Sequence, residues 1–194
     1  MPIHRAVPLR GGIKKTDLIE ALQYSGAELT EDMTDEEILA ALAAEFPPYT
    51  YLFRANKTNL LTGTWKKNNA QGGTITTPAV NNEGNLEVAL VSGEVFCNYI
   101  CQTAVDVTNY SKLFFTVANV PEESTNANKQ INVGLSASYS NTTVMGSLGA
   151  SVNIDNNTGT FEVDISSLTG VYYFGFSIAY FKNSTLEFSE IYLQ

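Results

Sequence analysis

The sequence predicts a mainly β protein: an antiparallel β-sandwich (jelly roll) over residues 49–194, preceded by an extended arm and a small two-helix unit. Two observations predict the sandwich. Apolar and polar residues alternate over many short segments, and turn residues separate these segments at regular intervals. About eight to ten strands at this spacing are typical of a sandwich or jelly roll.

The alternation with period two is strongest in the second half of the chain. Its apolar positions include Leu113, Phe115 and Val117, then Ile131, Val133 and Leu135, then Phe174, Phe176 and Ile178. In the last strand Leu186 and Phe188 are out of phase with Ile191 and Leu193, which predicts a β-bulge. Turn sequences lie at 81–84, 92–93, 155–159 and 182–184.

Charge separates the first 48 residues into two segments. Residues 1–15 contain Arg and Lys but no acid, and residues 16–48 contain Asp and Glu but no base. We interpret residues 1–15 as an extended basic arm, residues 16–48 as an acidic two-helix unit and residues 49–194 as the sandwich domain.

The arm contains Pro2, Pro8 and Gly11–Gly12, which exclude a helix. One interpretation is a disordered tail; the other is an arm that becomes ordered on a partner surface. The second is favoured because apolar side chains stand among the positive charges. The predicted anchor residues are Ile3, Arg5, Val7, Leu9 and Arg10.

Two helices are predicted between the arm and the sandwich. Thr16 is a suitable N-cap for the first, and Ser25–Gly26 ends it. Thr34 and Glu37 have the spacing of a capping box at the start of the second, which Pro47–Pro48 ends. The pattern resembles the helix–extended-loop–helix group, some of whose members bind nucleic acid through basic residues. This copy is acidic at those places, so that role does not transfer.

Bulk charge and hydropathy exclude several partners. The net charge of −9 argues against nucleic acid and against an anionic membrane surface. No apolar run approaches the roughly 20 residues that span a bilayer. The N-terminus lacks the apolar stretch of a secretory signal, which predicts assembly in a cytoplasm. Cys97 and Cys101 lie on one face of a predicted strand, roughly 13 Å apart, and are expected to be free, buried thiols.

The sequence predicts no enzymatic activity, no cofactor and no metal site. The single histidine, His4, lies in the arm, so a Ser–His or Cys–His pair is not available in the sandwich. Most acids of the sandwich fall in turns or on polar strand faces, where a pair facing a cleft is not expected. The segment 155–159 has oxygen ligands at close spacing; a hairpin turn is preferred there over a calcium site.

Aromatic residues are candidates for stacking on sugar rings when they point away from the core. The candidates are Trp65, Tyr99, Tyr139, Tyr173 and Phe181. The alternative for each is packing beneath a neighbouring loop or the helical unit. Trp65 is distinctive because it is the single tryptophan and precedes Lys66–Lys67.

Several segments of the second half resemble jelly-roll domains of the carbohydrate-binding-module type. Residues 105–117 resemble a turn-then-strand segment of these domains, and residues 161–168, 171–180 and 184–193 resemble their closing strands. Such domains recur on the fibres, baseplates and capsid surfaces of bacteriophages. The resemblance implies a sandwich that displays a surface and performs no chemistry.

The function predicted from the sequence is a bacteriophage virion surface protein. Its N-terminal region would attach it to the capsid, and its sandwich would be displayed outward as a decoration or head-fibre protein. One alternative is a tail or baseplate receptor-binding protein that grips a host glycan, and another is a cellular carbohydrate-binding module. The predicted partners are a capsid or other virion protein, a host-surface glycan and further copies of the chain. The predicted location is the virion.

Overall fold

The computed structural model of the chain describes residues 33–38, 49–123, 125–140 and 149–194, and for residues 69–71 only the backbone. The chain divides into two compact units, Met1–Pro48 and Tyr49–Gln194. The first predicted helix and the part of the second beyond residue 38 lie outside the described residues. So do the predicted anchor residues Ile3, Arg5, Val7, Leu9 and Arg10.

The described part of the first unit is the start of the second predicted helix. The Thr34 amide donates to the Glu37 carboxylate at 2.7 Å, and the Glu37 amide donates to the Thr34 hydroxyl at 3.3 Å. Residues 35–38 are helical, and the Ile38 amide donates to the Thr34 carbonyl at 3.0 Å. The capping box is therefore confirmed, whereas the two-helix unit as a whole stays a prediction.

The described residues of the second unit form twelve strands. They are β1 Thr50–Arg54, β2 Thr58–Asn59, β3 Trp65–Ile75, β4 Ala79–Val80, β5 Leu86–Asp106, β6 Lys112–Asn119, β7 Glu122–Glu123, β8 Gln130–Ser136, β9 Ala150–Asn153, β10 Gly159–Asp164, β11 Val171–Lys182 and β12 Thr185–Leu193.

The strands form two antiparallel sheets. Sheet A has the order β10–β6–β12–β1, with the first part of β5 also beside β12. Sheet B has the order β3–β5–β11–β8–β9. Along the chain the long strands alternate between sheets: β1 in A, the end of β5 in B, β6 in A, β8 and β9 in B, β10 in A, β11 in B and β12 in A. This alternation is a jelly-roll topology, so the predicted antiparallel β-sandwich is confirmed.

Strand β5 belongs to both sheets. Its residues 86–89 pair with β12, and its residues 95–106 pair with β11. The exposed segment between these parts contains Gly93, whose φ of 68° lies in the left-handed region that favours glycine. Gly73 of β3 packs here so closely that a Cβ atom would overlap the Ser92 carbonyl oxygen. The two glycines therefore let one strand cross from sheet A to sheet B.

Aromatic rings fill the space between the sheets. Phe188 of β12 contacts Phe174 and Phe176 of β11, with ring centroids 5.9 and 5.7 Å apart. Phe176 also contacts Tyr99 of β5 and Trp65 of β3, each with centroids 5.8 Å apart. Such pairs contribute about 0.5–1.5 kcal/mol each beyond the burial of their area. This cluster joins β12 of sheet A to three strands of sheet B.

The predicted bulge in the last strand is confirmed. The register of β12 against β6 shifts on both sides of Phe188. The carbonyl of Ser189, at the shift, accepts a hydrogen bond from the Ala55 amide at 2.8 Å. The extra residue brings Ile191 and Leu193 into the core with Phe188.

Both cysteines are free and buried, as their spacing predicts. Burial raises the pKa of the Cys97 thiol to about 12, so it is protonated at neutral pH and is a poor nucleophile. The Cys101 Sγ atom lies 3.4 Å from the Thr103 hydroxyl oxygen. Cys97 and Cys101 are therefore part of the packed core.

Substituting Phe188→Ala tests the aromatic contact between the sheets. We expect the free energy of unfolding to fall by about 3–5 kcal/mol, because the substitution leaves a cavity at the centre of the cluster. Urea denaturation followed by the fluorescence of Trp65 measures the change. Val91→Ala, at a side chain that is 60 % exposed, is the control and should change stability by less than about 0.5 kcal/mol. A loss below about 1 kcal/mol for Phe188→Ala would contradict the role of this contact.

Candidate functional site

The structure places three of the predicted sugar-stacking residues against the core. Tyr99 is 1 % exposed, and its hydroxyl donates to the Thr76 carbonyl at 2.8 Å. Phe181 is fully buried. Trp65 is partly buried against Phe176. The prediction is therefore wrong for Tyr99 and Phe181, whose rings have no accessible face, and Trp65 packs at the margin of the core.

Tyr139 and Tyr173 remain as surface candidates. Tyr173 lies on the outer face of sheet B, because it pairs with Ala104 and alternates with the buried Phe174. Tyr139 follows β8 and is 37 % exposed. The two rings meet edge to face with centroids 5.6 Å apart. They form an aromatic pair at one end of this face.

The Lys66 ammonium lies beside this pair. Lys66 pairs with Ile100 on the outward phase of β3, opposite to Trp65. Its Nζ atom is 5.6 Å from the centre of the Tyr139 ring and donates to the Ser140 hydroxyl at 3.3 Å. The ammonium therefore lies within cation–π distance of Tyr139 at the rim of the face.

Polar side chains cross the middle of the outer face of sheet B. The strand register aligns Asn68 of β3, Asn98 of β5, Ser177 of β11 and Asn132 of β8 in one row. All four are buried, although they stand on the outward phase of their strands. We refer to these four residues as the polar row.

Two polar atoms of this row have no hydrogen-bond partner among the residues that the structure describes. They are the Asn68 Nδ2 atom and the Ser177 Oγ atom, and both are buried. Asn132, by contrast, donates to the Gln130 side chain at 3.0 Å. A buried polar group without a partner costs about 1–3 kcal/mol, so the free sandwich carries a destabilising feature at this place.

The outer face of sheet A has an aromatic row of a different kind. Phe114, Tyr192 and Tyr51 are cross-strand neighbours on β6, β12 and β1. Phe114 and Tyr192 stack at 5.1 Å with an angle of 16° between their planes, and the Arg54 guanidinium lies 4.8 Å from the centre of the Tyr51 ring. Burial is the main cause that raises the pKa of the Tyr192 hydroxyl. The Phe114 and Tyr192 rings cover each other, and Arg54 covers the Tyr51 ring. This aromatic row is therefore a weaker candidate for stacking on a ligand.

Carboxylates of the sandwich close turns at strand ends. Asp106 accepts hydrogen bonds from the Thr108 hydroxyl at 2.6 Å and from its amide at 3.0 Å. Asp164 accepts the same pair of bonds from Ser166, at 2.7 and 2.9 Å. These bonds lower the pKa of both carboxyl groups, most strongly through the hydroxyls. Both acids are thus held as ionised turn residues and do not face a cleft.

Residues 155–159 form a turn between β9 and β10, but the predicted hairpin is wrong, because β9 pairs with β8 in sheet B and β10 pairs with β6 in sheet A. Asp155 has a φ of 50°, and its carboxylate accepts a hydrogen bond from the Asn153 side chain at 2.8 Å. Among the described residues, no group of three or more His, Cys, Asp or Glu side chains is placed to hold a metal ion. In the same part of the chain no helix has the length and apolar character needed to cross a membrane.

Comparisons with known proteins give structural similarities at low sequence identity. The chain matches no protein-family model and no curated protein sequence. A low-affinity xylan-binding module from Roseburia intestinalis has a TM-score of 0.41 and 11 % identity, covering 68 % of this chain and 96 % of that one. A family 11 carbohydrate-binding module of a Clostridium thermocellum cellulase has a TM-score of 0.41 and 13 % identity, covering 75 % and 94 %. The fold assignment rests on the strand pairing above.

Sequence reasoning missed the polar row. Asn and Ser on outward strand positions look like ordinary solvent-facing residues until the neighbouring strands are known. Asn68 and Ser177 are separated by more than a hundred positions in the sequence. The one available signal was Ser177, which interrupts the otherwise apolar or small run of β11.

Two buried serines allow a test of the unpartnered hydroxyl, because among the described residues the hydroxyl of one is hydrogen-bonded and that of the other is not. Ser177 and Ser136 are each 1 % exposed, but the Ser136 hydroxyl donates to the Ser138 carbonyl at 2.8 Å. We expect Ser177→Ala to raise the free energy of unfolding by about 1 kcal/mol and Ser136→Ala to lower it by about the same amount. Urea denaturation of both variants measures this difference. Destabilisation by Ser177→Ala equal to that by Ser136→Ala would mean that the Ser177 hydroxyl has a partner.

Proposed function

We propose that this chain is a non-catalytic carbohydrate-binding protein that binds a glycan on the outer face of sheet B. The observation that supports this most is the polar row with its two unpartnered atoms, beside the exposed ring of Tyr139 and the half-buried ring of Tyr173. A sugar ring has an apolar C–H face and a rim of hydroxyls. It therefore matches a surface that combines an aromatic ring with free donors and acceptors.

Each of the two unpartnered atoms can form a hydrogen bond with a hydroxylated ligand. The Asn68 Nδ2 atom donates and needs an acceptor, and the Ser177 hydroxyl can donate or accept. Sugar hydroxyls do both. Because these two atoms are shielded from solvent in the free chain, binding includes a local opening of this face. Tyr139 lies at its rim and is accessible beforehand.

The two sheet faces differ in what they offer a ligand. On sheet A the rings of Phe114 and Tyr192 stack on each other, so a sugar would have to replace an existing contact. On sheet B, Tyr139 meets Tyr173 at an edge and retains exposed ring surface. This difference favours sheet B as the binding face.

Truncating the exposed ring tests the proposal. We expect Tyr139→Ala to weaken glycan binding by about tenfold or more, because the aromatic anchor of a binding surface contributes more than about 1 kcal/mol. Titration calorimetry against the glycans that the wild-type chain binds on an array measures the loss. Tyr49→Ala is the matched control, because Tyr49 is an exposed tyrosine that precedes β1 and contacts Tyr192 of sheet A, so the affinity should be unchanged. Failure of the wild-type chain to bind any glycan would overturn the proposal, as would full affinity in Tyr139→Ala.

Display of the sandwich on a bacteriophage virion is a second candidate function, and one sequence observation favours it. Residues 1–15 contain only basic charged residues and residues 16–48 only acidic ones. Ion pairs between exposed groups contribute only about 0–1 kcal/mol each, which is too little to order an arm with Pro8 and Gly11–Gly12. A capsid surface can offer both countercharge and pockets for Ile3, Val7 and Leu9, each worth roughly 1.5–3 kcal/mol before ordering costs.

Deleting residues 1–13 tests this second candidate. We expect the sandwich to retain its melting temperature, because its core lies within residues 49–194, and the truncated chain to be lost from virions. Differential scanning calorimetry and quantitative mass spectrometry of purified particles measure the two effects. Particles decorated at full occupancy by the truncated chain would contradict the anchor, and absence of the full chain from virions would contradict the virion location.

A further inference from the structure

The charge of the outer face of sheet B differs from that of the whole chain. The chain has 20 acidic and 11 basic residues. We consider the part of the outer face of sheet B that lies beside residues 96–104 of β5. Among its described outward-pointing residues, one has a charged side chain, Lys66. Because the described outward positions of this face carry no carboxylate in so acidic a protein, the face is suited to a ligand that carries negative charge.

Lys66 has no carboxylate partner among the described residues. Other lysines of the sandwich do: the Lys112 ammonium lies 2.7 Å from the Glu162 carboxylate, and the Lys129 ammonium pairs with Glu123. The Lys66 ammonium instead donates to the Ser140 hydroxyl at 3.3 Å and lies near the Tyr139 ring. These neutral neighbours position the ammonium and leave its charge uncompensated.

A second donor on the same strand points to the same side. Asn68 follows Lys66 by two residues, so their side chains stand on one face roughly 7 Å apart along β3. The Asn68 Nδ2 atom is buried, with 5 % of the residue exposed, and no acceptor for it lies in the described part of the chain. The Lys66 ammonium and the Asn68 side-chain amide, which stand on this edge of the face, are both donors. The missing counterpart is therefore a group with several acceptor oxygens.

We infer that the ligand of this face is an anionic glycan, whose carboxylate or sulfate oxygens accept hydrogen bonds from Lys66 and Asn68 while the sugar ring lies against Tyr139. This rests on the proposed carbohydrate binding. A hydrogen bond between an ammonium and an anionic oxygen is stronger than a neutral one, and partial burial reduces its screening. A neutral sugar would desolvate the Lys66 ammonium without compensating its charge.

The first experiment identifies the class of ligand. The full-length chain is applied to an array of neutral, uronic-acid-containing, sialylated and sulfated oligosaccharides. We expect the bound oligosaccharides to be acidic, and their affinity to fall as the salt concentration rises from 50 to 500 mM by roughly tenfold. Carboxyl-reduced and desulfated forms of each bound oligosaccharide then show whether the accepting group is a carboxylate or a sulfate. Binding confined to neutral oligosaccharides overturns the inference but leaves the proposed function intact, and no binding at all overturns both.

The second experiment tests Lys66 with a matched control on the same strand. We expect Lys66→Gln to lower the affinity for the acidic oligosaccharide by about tenfold or more, with Lys66→Arg retaining most of it. Lys67→Gln removes the same charge from the neighbouring residue, which pairs with Tyr99 on the opposite phase, and should keep the wild-type affinity. Thermal melting confirms that the variants are folded. Equal losses in Lys66→Gln and Lys67→Gln would indicate a non-specific charge effect and overturn the inference, and so would unchanged affinity in Lys66→Gln.

Discussion

The contact of Phe188 with Phe174 and Phe176 is the interaction on which the rest of the sandwich depends. It connects the central strand of sheet A, β12, to the central strand of sheet B, β11. Once these rings meet, the inward phase of both strands is set, since a shift of one residue would move every side chain to the opposite face. The outward phase follows from the same constraint, and with it the position of Ser177 next to Phe176.

Strand β5 connects the two sheets, because it passes from sheet A to sheet B. Its first part extends sheet A and its second part lies beside β11, so Asn98 and Ile100 stand on the outer face of sheet B next to Ser177 and Gly175. Glycine at 175 is required here, because a Cβ atom would lie 2.6 Å from the Tyr99 carbonyl oxygen. The polar row and Lys66 thus stand on strands fixed by the core, and a support of this kind holds their side chains in place.

The sequence was sufficient to predict the strands but not the side chains of the site. Burial alternates with period two, so the inward residues of β6, β8 and β11, the bulge of β12 and the free thiols followed from residue type and spacing. The alternation of inward and outward residues is broken, however, where the pairing of a strand is irregular. In β11 the register shifts between Ala179 and Phe181, and Tyr180 has a φ of 60°, which turns Phe181 into the core against the simple alternation. The polar row was beyond prediction because its members become neighbours only through long-range strand pairing.

The unpartnered atoms of the polar row connect stability with the proposed function. In a sandwich, a buried outward position can be filled by alanine or valine at no cost in hydrogen bonds, so a serine and an asparagine without partners lower the stability of the free protein. Their cost is recovered when a ligand supplies the missing acceptors and donors, which makes the interaction selective for polar ligands over apolar ones. The uncompensated ammonium of Lys66 acts in the same direction, since it favours a ligand that brings negative charge. Recognition on this face would then come from polar groups that have no partner among the described residues of the free protein. The packed core holds these groups in position, and its own contacts supply enough stability to offset their cost.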